Sequence, residues 1–203
     1  MIAVIDYDAG NTFNVLKAFK HLGVEAVLTA DPDTILKADG VVLPGVGAFK
    51  SAMDTLKERG LVDLIYQVVD KGTPLLGICL GMQMLFESSD EYGPTEGLGL
   101  IPGHVCLIPE DLGYMVPQMG WNQNHLHKED SIFADVVKDQ YTYFVHSYFA
   151  DCPQEYVTTT VDYGVAVPGI VEKGKVYGMQ FHPEKSAALG LALLKRFVEQ
   201  TQA

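Results

Sequence analysis

The chain has 203 residues and a formal net charge of −12, an acidic balance that argues against a nucleic-acid or anionic-membrane surface, since both are held by Lys and Arg. Its 48% apolar and 20% charged residues are those of a globular domain, and a chain this long buries roughly 70% of its unfolded surface without a metal or disulfide staple. Three cysteines, Cys79, Cys106 and Cys152, cannot form a disulfide framework and fit a reducing, cytoplasmic setting.

In chain order, residues 2–6 read as a buried strand, and the immediate Asp6 and Asp8 do not suit a targeting leader. Residues 11–22 follow as a helix with Val15, Leu16, Phe19 and Leu22 on one face, stopped by Gly23. Strands at 24–28 and 40–43, helices at 49–58 and 62–69, and a strand at 74–78 continue the alternation. This implies a doubly wound, mostly parallel sheet with flanking helices. The apolar run 72–86 is too short to span a bilayer and is interrupted by Pro74, Gly77 and Gly81. Its end, 82–87, reads as helix-forming. The second half changes character, with strands at 103–108, 115–119, 141–145, 155–161, 164–171 and 175–181 joined by short turns. That pattern predicts antiparallel hairpins at the sheet's edge, closed by a helix at 187–200. No repeat or linker interrupts the chain, so residues 1–203 are expected to form one α/β domain.

The most informative stretch is 75–83, where an apolar strand runs into Gly77-Ile78-Cys79-Leu80-Gly81 and out into a helix-forming segment. A strand–turn–helix of this kind holds one side chain up on a strained elbow, and glycines two residues to either side remove the Cβ atoms that would clash. It also puts a thiol at a helix N-terminus, where the dipole and free N–H groups favour thiolate. The Leu80 N–H then becomes a natural oxyanion donor, and Gln83, one helical turn on, projects toward the same cleft. On these residues alone, the other reading of Cys79 is a small core residue of an apolar strand. Cys106 and Cys152 have no comparable setting and read as structural.

A thiol nucleophile needs a proton acceptor, usually a histidine held by a carboxylate. Of six histidines, His182 ends an apolar strand and opens His182-Pro183-Glu184. Pro183 stops the strand, and the i, i+2 spacing lets Glu184 curl back onto the imidazole. The other reading is a strand-end histidine in a solvated turn. Ligands of open α/β sheets bind beyond the carboxyl ends of strands, where Cys79 and His182 would both lie. Leu43-Pro44-Gly45-Val46-Gly47 leaves a buried strand at that same edge, and its glycines allow backbone N–H groups to face a developing oxyanion. It lacks the Lys and the spacing of a phosphate loop.

These pieces together resemble the class I (triad) glutamine amidotransferases, in which Gly-x-Cys-x-Gly-x-Gln carries the nucleophile and a late His-Pro-Glu completes the triad. Segments 8–14, 44–49, 77–86, 119–122, 143–148 and 178–186 resemble one branch of that family, in order and over nearly the whole chain. Residue by residue, the resemblance implies Cys79 as nucleophile, His182 as base and acid, and Glu184 as its orienter. Val46, Gly47 and Leu80 would serve the oxyanion. Gly45, Gln83, Glu91, His146, Ser147 and Tyr148 would form the pocket for L-glutamine. Asn11, Asn14, Trp121, Asn122 and Tyr143 would face a synthase partner, a (β/α)8-barrel cyclase that uses the ammonia. The oxyanion segment would be mis-set until that partner binds its own ligand, and part of the acidic surplus would face a basic surface on it. Neither a cofactor nor a metal is expected. Position 118 departs from the pattern: it is Gln where this branch often has His.

Overall fold

The computed structural model describes residues 1–203. The first half alternates strand and helix: β1 (Ile2–Ile5), α1 (Thr12–His21), β2 (Ala26–Thr29), α2 (Pro32–Lys37), β3 (Gly40–Leu43), α3 (Phe49–Glu58), α4 (Leu61–Asp70) and β4 (Leu75–Ile78). A one-turn helix α5 (Leu80–Gln83) leads into short strands β5 (Ser88–Ser89), β6 (Thr95–Glu96) and β7 (His104–Leu107). The second half adds β8 (Gln118–Gln123), β9 (His125–Leu126), α6 (Ala134–Val137), β10 (Tyr141–His146) and β11 (Tyr148–Asp151). It ends with β12 (Val157–Asp162), β13 (Ala166–Lys173), β14 (Val176–Met179) and α7 (Ala187–Thr201).

The main sheet has eight strands in the order β2-β1-β3-β4-β14-β13-β12-β9. Pairing is parallel from β2 through to β14 and antiparallel from β14 to β9. Along β1 the side chains alternate: Ala3 and Ile5 pack with α2, α3 and α4 on one face. Ile2 and Val4 pack with α1, α6 and α7 on the other. A central sheet covered on both faces needs strands that are apolar throughout, and β1, β3, β4 and β14 are buried at every position. No helix is long and apolar enough to cross a membrane.

The doubly wound sheet and the antiparallel run of β12, β13 and β14 follow the sequence reading; the short elements β5, β6, β9, α6 and β11 have no counterpart in it, and four further features differ. Helix α2 has no counterpart in that reading, although Asp31 caps it by accepting the Thr34 N–H at 2.9 Å and Pro32 opens it, both ordinary start signals. Residues 82–87 do not continue as a helix. Met84, Leu85 and Phe86 are all fully buried, and the chain bends after Gln83 to place them, with Leu85 and Phe86 bonding three residues back. The strand expected at 115–119 starts only at Gln118, because Pro117 has no N–H for a ladder and Met115 is exposed. It pairs with β10 in a separate two-stranded sheet, and β11-β7-β5-β6 form a third, so not every later strand joins the main sheet's edge.

Candidate active site

Three neighbouring strands of the main sheet, β3, β4 and β14, end side by side at one rim. The chain leaving β4 makes the elbow. Cys79 sits at φ 54°, ψ −111°, a region a non-glycine residue occupies only when its surroundings enforce it. The enforcement is steric. A Cβ on Gly77 would lie 2.6 Å from the Gly81 carbonyl oxygen, and one on Gly81 would overlap the Leu43 carbonyl of β3. The Cys79 N–H donates to the Met179 carbonyl at 2.7 Å, which ties the elbow to the end of β14. Helix α5 has a single turn, so the dipole expected from a longer helix shrinks here to the free N–H groups of its first residues.

Three residues beyond β14, His182 faces the same space. Its Nδ1 pairs with Glu184 Oε1 at 2.8 Å, and the two side chains are 2% and 1% exposed. Burial alone would lower the His182 pKa; the nearby Cys79 sulfur and the bond and charge of Glu184 outweigh it and hold the imidazole up, at about 9. No hydrogen bond of regular geometry joins it to the sulfur in this state: Cys79 Sγ instead contacts the Val145 carbonyl at 3.9 Å and Gln180 Nε2 at 3.7 Å. Catalytic contacts of this kind often tighten only when substrate is bound. The second carboxylate oxygen of Glu184, Oε2, is buried without a partner.

Cys79 and His182 open into a cavity of about 350 Å³, whose walls include Val46, Gly47, Leu80, Gln83, Glu91, His146, Ser147 and Tyr148. The structure thus brings together every residue the sequence proposed for the oxyanion and the pocket except Gly45. That glycine lies beneath the wall, where an added Cβ would sit 2.7 Å from the Tyr7 hydroxyl. The Val46 and Gly47 N–H groups have no protein acceptor. Glu91 is anchored from behind, one oxygen accepting the Phe49 N–H at the start of α3 at 2.8 Å. Gln83 spends its amide N–H₂ on the Tyr148 carbonyl, at 2.9 Å, and on Gln180 Oε1, at 3.1 Å. Only its carbonyl oxygen is left for a ligand.

His146 lies across the cavity. Burial holds its pKa down at about 4, against the bond to the Tyr148 carbonyl and with the charge of His182, so the ring is neutral. Its Nδ1 is 2.7 Å from the Tyr148 carbonyl, which only accepts, so the single proton is on Nδ1. Gln118 Oε1 lies 2.9 Å from Nε2 and Gln118 Nε2 donates to Asn122 Oδ1 at 3.0 Å, so with the ring proton on Nδ1 both amides have to be turned end for end before Nε2 accepts a hydrogen bond. Gln118, the position that departs from the family pattern, is therefore the side-chain neighbour of a pocket histidine's Nε2, while the Tyr148 carbonyl sets that ring's tautomer.

The five residues proposed to face a partner are away from the cavity. Asn11 and Asn14 bond each other at the start of α1 at 3.1 Å. Trp121 and Tyr143 are cross-strand neighbours on β8 and β10 with ring centroids 5.9 Å apart, and Trp121 is half exposed. Asn122 points inward to Gln118. Two site residues escaped the sequence reading. Gln180 is a fully buried amide in an apolar run and contacts the sulfur. Tyr7 donates from its hydroxyl to the Pro44 carbonyl at 2.5 Å, at the root of the oxyanion segment. A lone polar residue two places before the candidate base was a legible signal for Gln180; for Tyr7 there was none.

Residues 3–201 match the glutamine amidotransferase class-I family. The chain is 56% identical, over 203 residues, to the imidazole glycerol phosphate synthase subunit HisH of Lactiplantibacillus plantarum, covering 100% of this chain and 97% of that protein. It is 54% identical to the subunit of the same name from Streptococcus sanguinis, over 98% of this chain and 96% of that one. Among solved structures, one titled a glutamine amidotransferase superposes with a TM-score of 0.77 at 19% identity, with full coverage of both chains. The glutaminase domain of Trypanosoma brucei CTPS with bound acivicin gives 0.66 at 19%, over 98% of this chain and 93% of that one. At such identities these two structures speak for the fold alone.

Proposed function

The chain belongs to the glutamine amidotransferase class-I family, and from that premise we propose that it is the glutaminase subunit of an imidazole glycerol phosphate synthase. It hydrolyses L-glutamine to glutamate and ammonia, and the ammonia goes to a (β/α)8-barrel cyclase subunit that makes imidazole glycerol phosphate and AICAR in histidine biosynthesis. The observation that carries the chemistry is the cavity shared by a strained cysteine and a carboxylate-held histidine. A nucleophile that must stay reduced suits the cytoplasm.

Cys79, as thiolate, attacks the carboxamide carbon of glutamine. The oxygen gains charge and is met by N–H groups of Leu80, Val46 and Gly47. His182, protonated on the nitrogen opposite its bond to Glu184, gives that proton to the departing nitrogen, and ammonia leaves a γ-glutamyl thioester. Water then adds to the thioester carbon with His182 as base, and Cys79 leaves with its electron pair, returning to its starting state as glutamate forms. Gln83 Oε1 and the free oxygen of Glu91 are acceptors placed to hold the substrate's ammonium group. Ammonia lost to solvent is wasted, so glutamine hydrolysis is expected to depend on the partner, through the oxyanion segment 45–47.

The test is made in the complex with the cyclase. Cys79→Ala is expected to abolish glutamate release while synthesis from added ammonia survives. Glutamate release that persists in this variant overturns the assignment.

A further inference from the structure

Burying a primary amide is costly unless both of its ends are paired. Gln180 is fully buried between Met179 and Phe181, behind the cavity residues Cys79 and Gln83. Its Nε2 is 3.7 Å from Cys79 Sγ, and its Oε1 is 3.1 Å from Gln83 Nε2.

An amide can be turned end for end, so its direction has to be argued. The Tyr148 carbonyl can only accept, so the end of Gln83 that lies 2.9 Å from it is N–H₂. The second hydrogen of that group faces Gln180, which must answer with its oxygen. The nitrogen of Gln180 is then left on the sulfur's side. A backbone carbonyl two side chains away thus forces an N–H onto the reacting atom. The other contact of the sulfur, the Val145 carbonyl at 3.9 Å, suits only the protonated thiol.

We propose that Gln180 is a catalytic residue that donates an N–H hydrogen bond to Cys79 Sγ and stabilises its thiolate, with Gln83 locking the direction of that donor. The inference rests on Cys79 being the nucleophile of the proposed glutaminase. No bond is made or broken by Gln180. The sulfur carries its negative charge twice in the cycle, before attack and again when the thioester breaks down, and a hydrogen bond to an ion is stronger than one to a neutral thiol. The donor therefore acts on both half-reactions.

The experiment follows the pH dependence of Cys79 alkylation by iodoacetamide in the complex with the cyclase. Modification at Cys79 is counted by peptide mass, which separates it from Cys106 and Cys152. Gln180→Leu removes the donor at similar volume, and its alkylation midpoint is expected to rise by about one pH unit. The kcat for glutamine is expected to fall about tenfold with KM little changed. Gln83→Met releases the lock without touching the donor, and its midpoint is expected to rise by a smaller amount. If Gln180→Leu does not fold, judged by its urea midpoint, Gln83→Met alone decides. An unmoved midpoint in folded Gln180→Leu, or in Gln83→Met where it decides, overturns the inference. The Cys79→Ala control keeps the two ideas apart: glutamate release that survives it overturns the glutaminase assignment, whatever the midpoints do.

Discussion

The eight-stranded sheet brings Cys79 and His182 to the ends of β4 and β14, strands whose residues are all buried. The two-stranded ladder of β8 and β10 brings Gln118 and His146 to the same space but leaves Met119, Trp121 and Tyr141 exposed on its outer side. A two-stranded ribbon is marginal by itself. This one is fastened to the base: the His182 N–H donates to the Tyr143 carbonyl at 3.0 Å, and the Tyr143 N–H donates to Ser186 Oγ at 3.1 Å. The main sheet fixes the chemistry through backbone and packing. The ladder is open on one side, and its exposed Met119, Trp121 and Tyr141 are the surface on which the proposed partner is expected to sit.

Breaking the main sheet's contribution is expected to have the largest effect. Gly81→Ala drives a Cβ into the Leu43 carbonyl of a fully buried strand, which cannot step aside. The expected loss is on the order of 4 kcal/mol of stability, read as a lower urea midpoint, with glutamate release gone. Next comes Glu184→Gln. It keeps the shape of the orienter and removes the charge that helps hold His182 at about 9. Glutamate release at pH 8 is expected to fall by about 10³, and its alkaline limb to move toward lower pH. A variant of unchanged pH profile would mean that the carboxylate does not set the protonation of the ring.

The same contrast explains what could be read from the sequence. The elbow and the triad are written in short strings, since Gly77 to Gly81 and His182 to Glu184 each act within five residues. The central sheet was legible for a similar reason, because strands buried on both faces are apolar throughout. The amide network beneath the cavity was not. Gln180 and Cys79 are 101 residues apart, Gln83 and Tyr148 are 65 apart, and Gln118 and His146 are 28 apart. Each pair meets only because of strand order and register, and a shift of one residue in β8 would turn Gln118 away from His146. The role of position 118 had to wait for the ladder.

The two histidines sharpen the comparison with opposite signs of pH linkage. His182 on the main sheet is raised above its ordinary 6.5, so its contribution to stability is complete below pH 6.5 and is lost as pH rises through about 9. His146 on the ladder is lowered to about 4, so its contribution is complete above pH 6.5 and is lost as pH falls toward 4. The difference is worth about 3 kcal/mol for the buried His146. His146→Gln is expected to flatten the fall of the urea midpoint between pH 6.5 and pH 4.5 relative to the parent chain. An identical slope would show that this ring is not held neutral.

The smallest effect tests the ladder's outer face. Trp121 is 51% exposed and rests edge-on against Tyr143, so its loss removes little core. In a chain with one tryptophan, an exposed indole beside exposed Met119 is a ready anchor for a protein surface. Trp121→Ala is expected to weaken binding of the cyclase by about 2 kcal/mol, roughly 30-fold in Kd, by titration calorimetry. Cys79 alkylation in the isolated chain should be unaffected, because the main sheet sets it. Added salt should weaken the parent complex further if the net charge of −12 meets a basic surface. If Kd is unchanged, the partner does not sit on the outer face of the ladder.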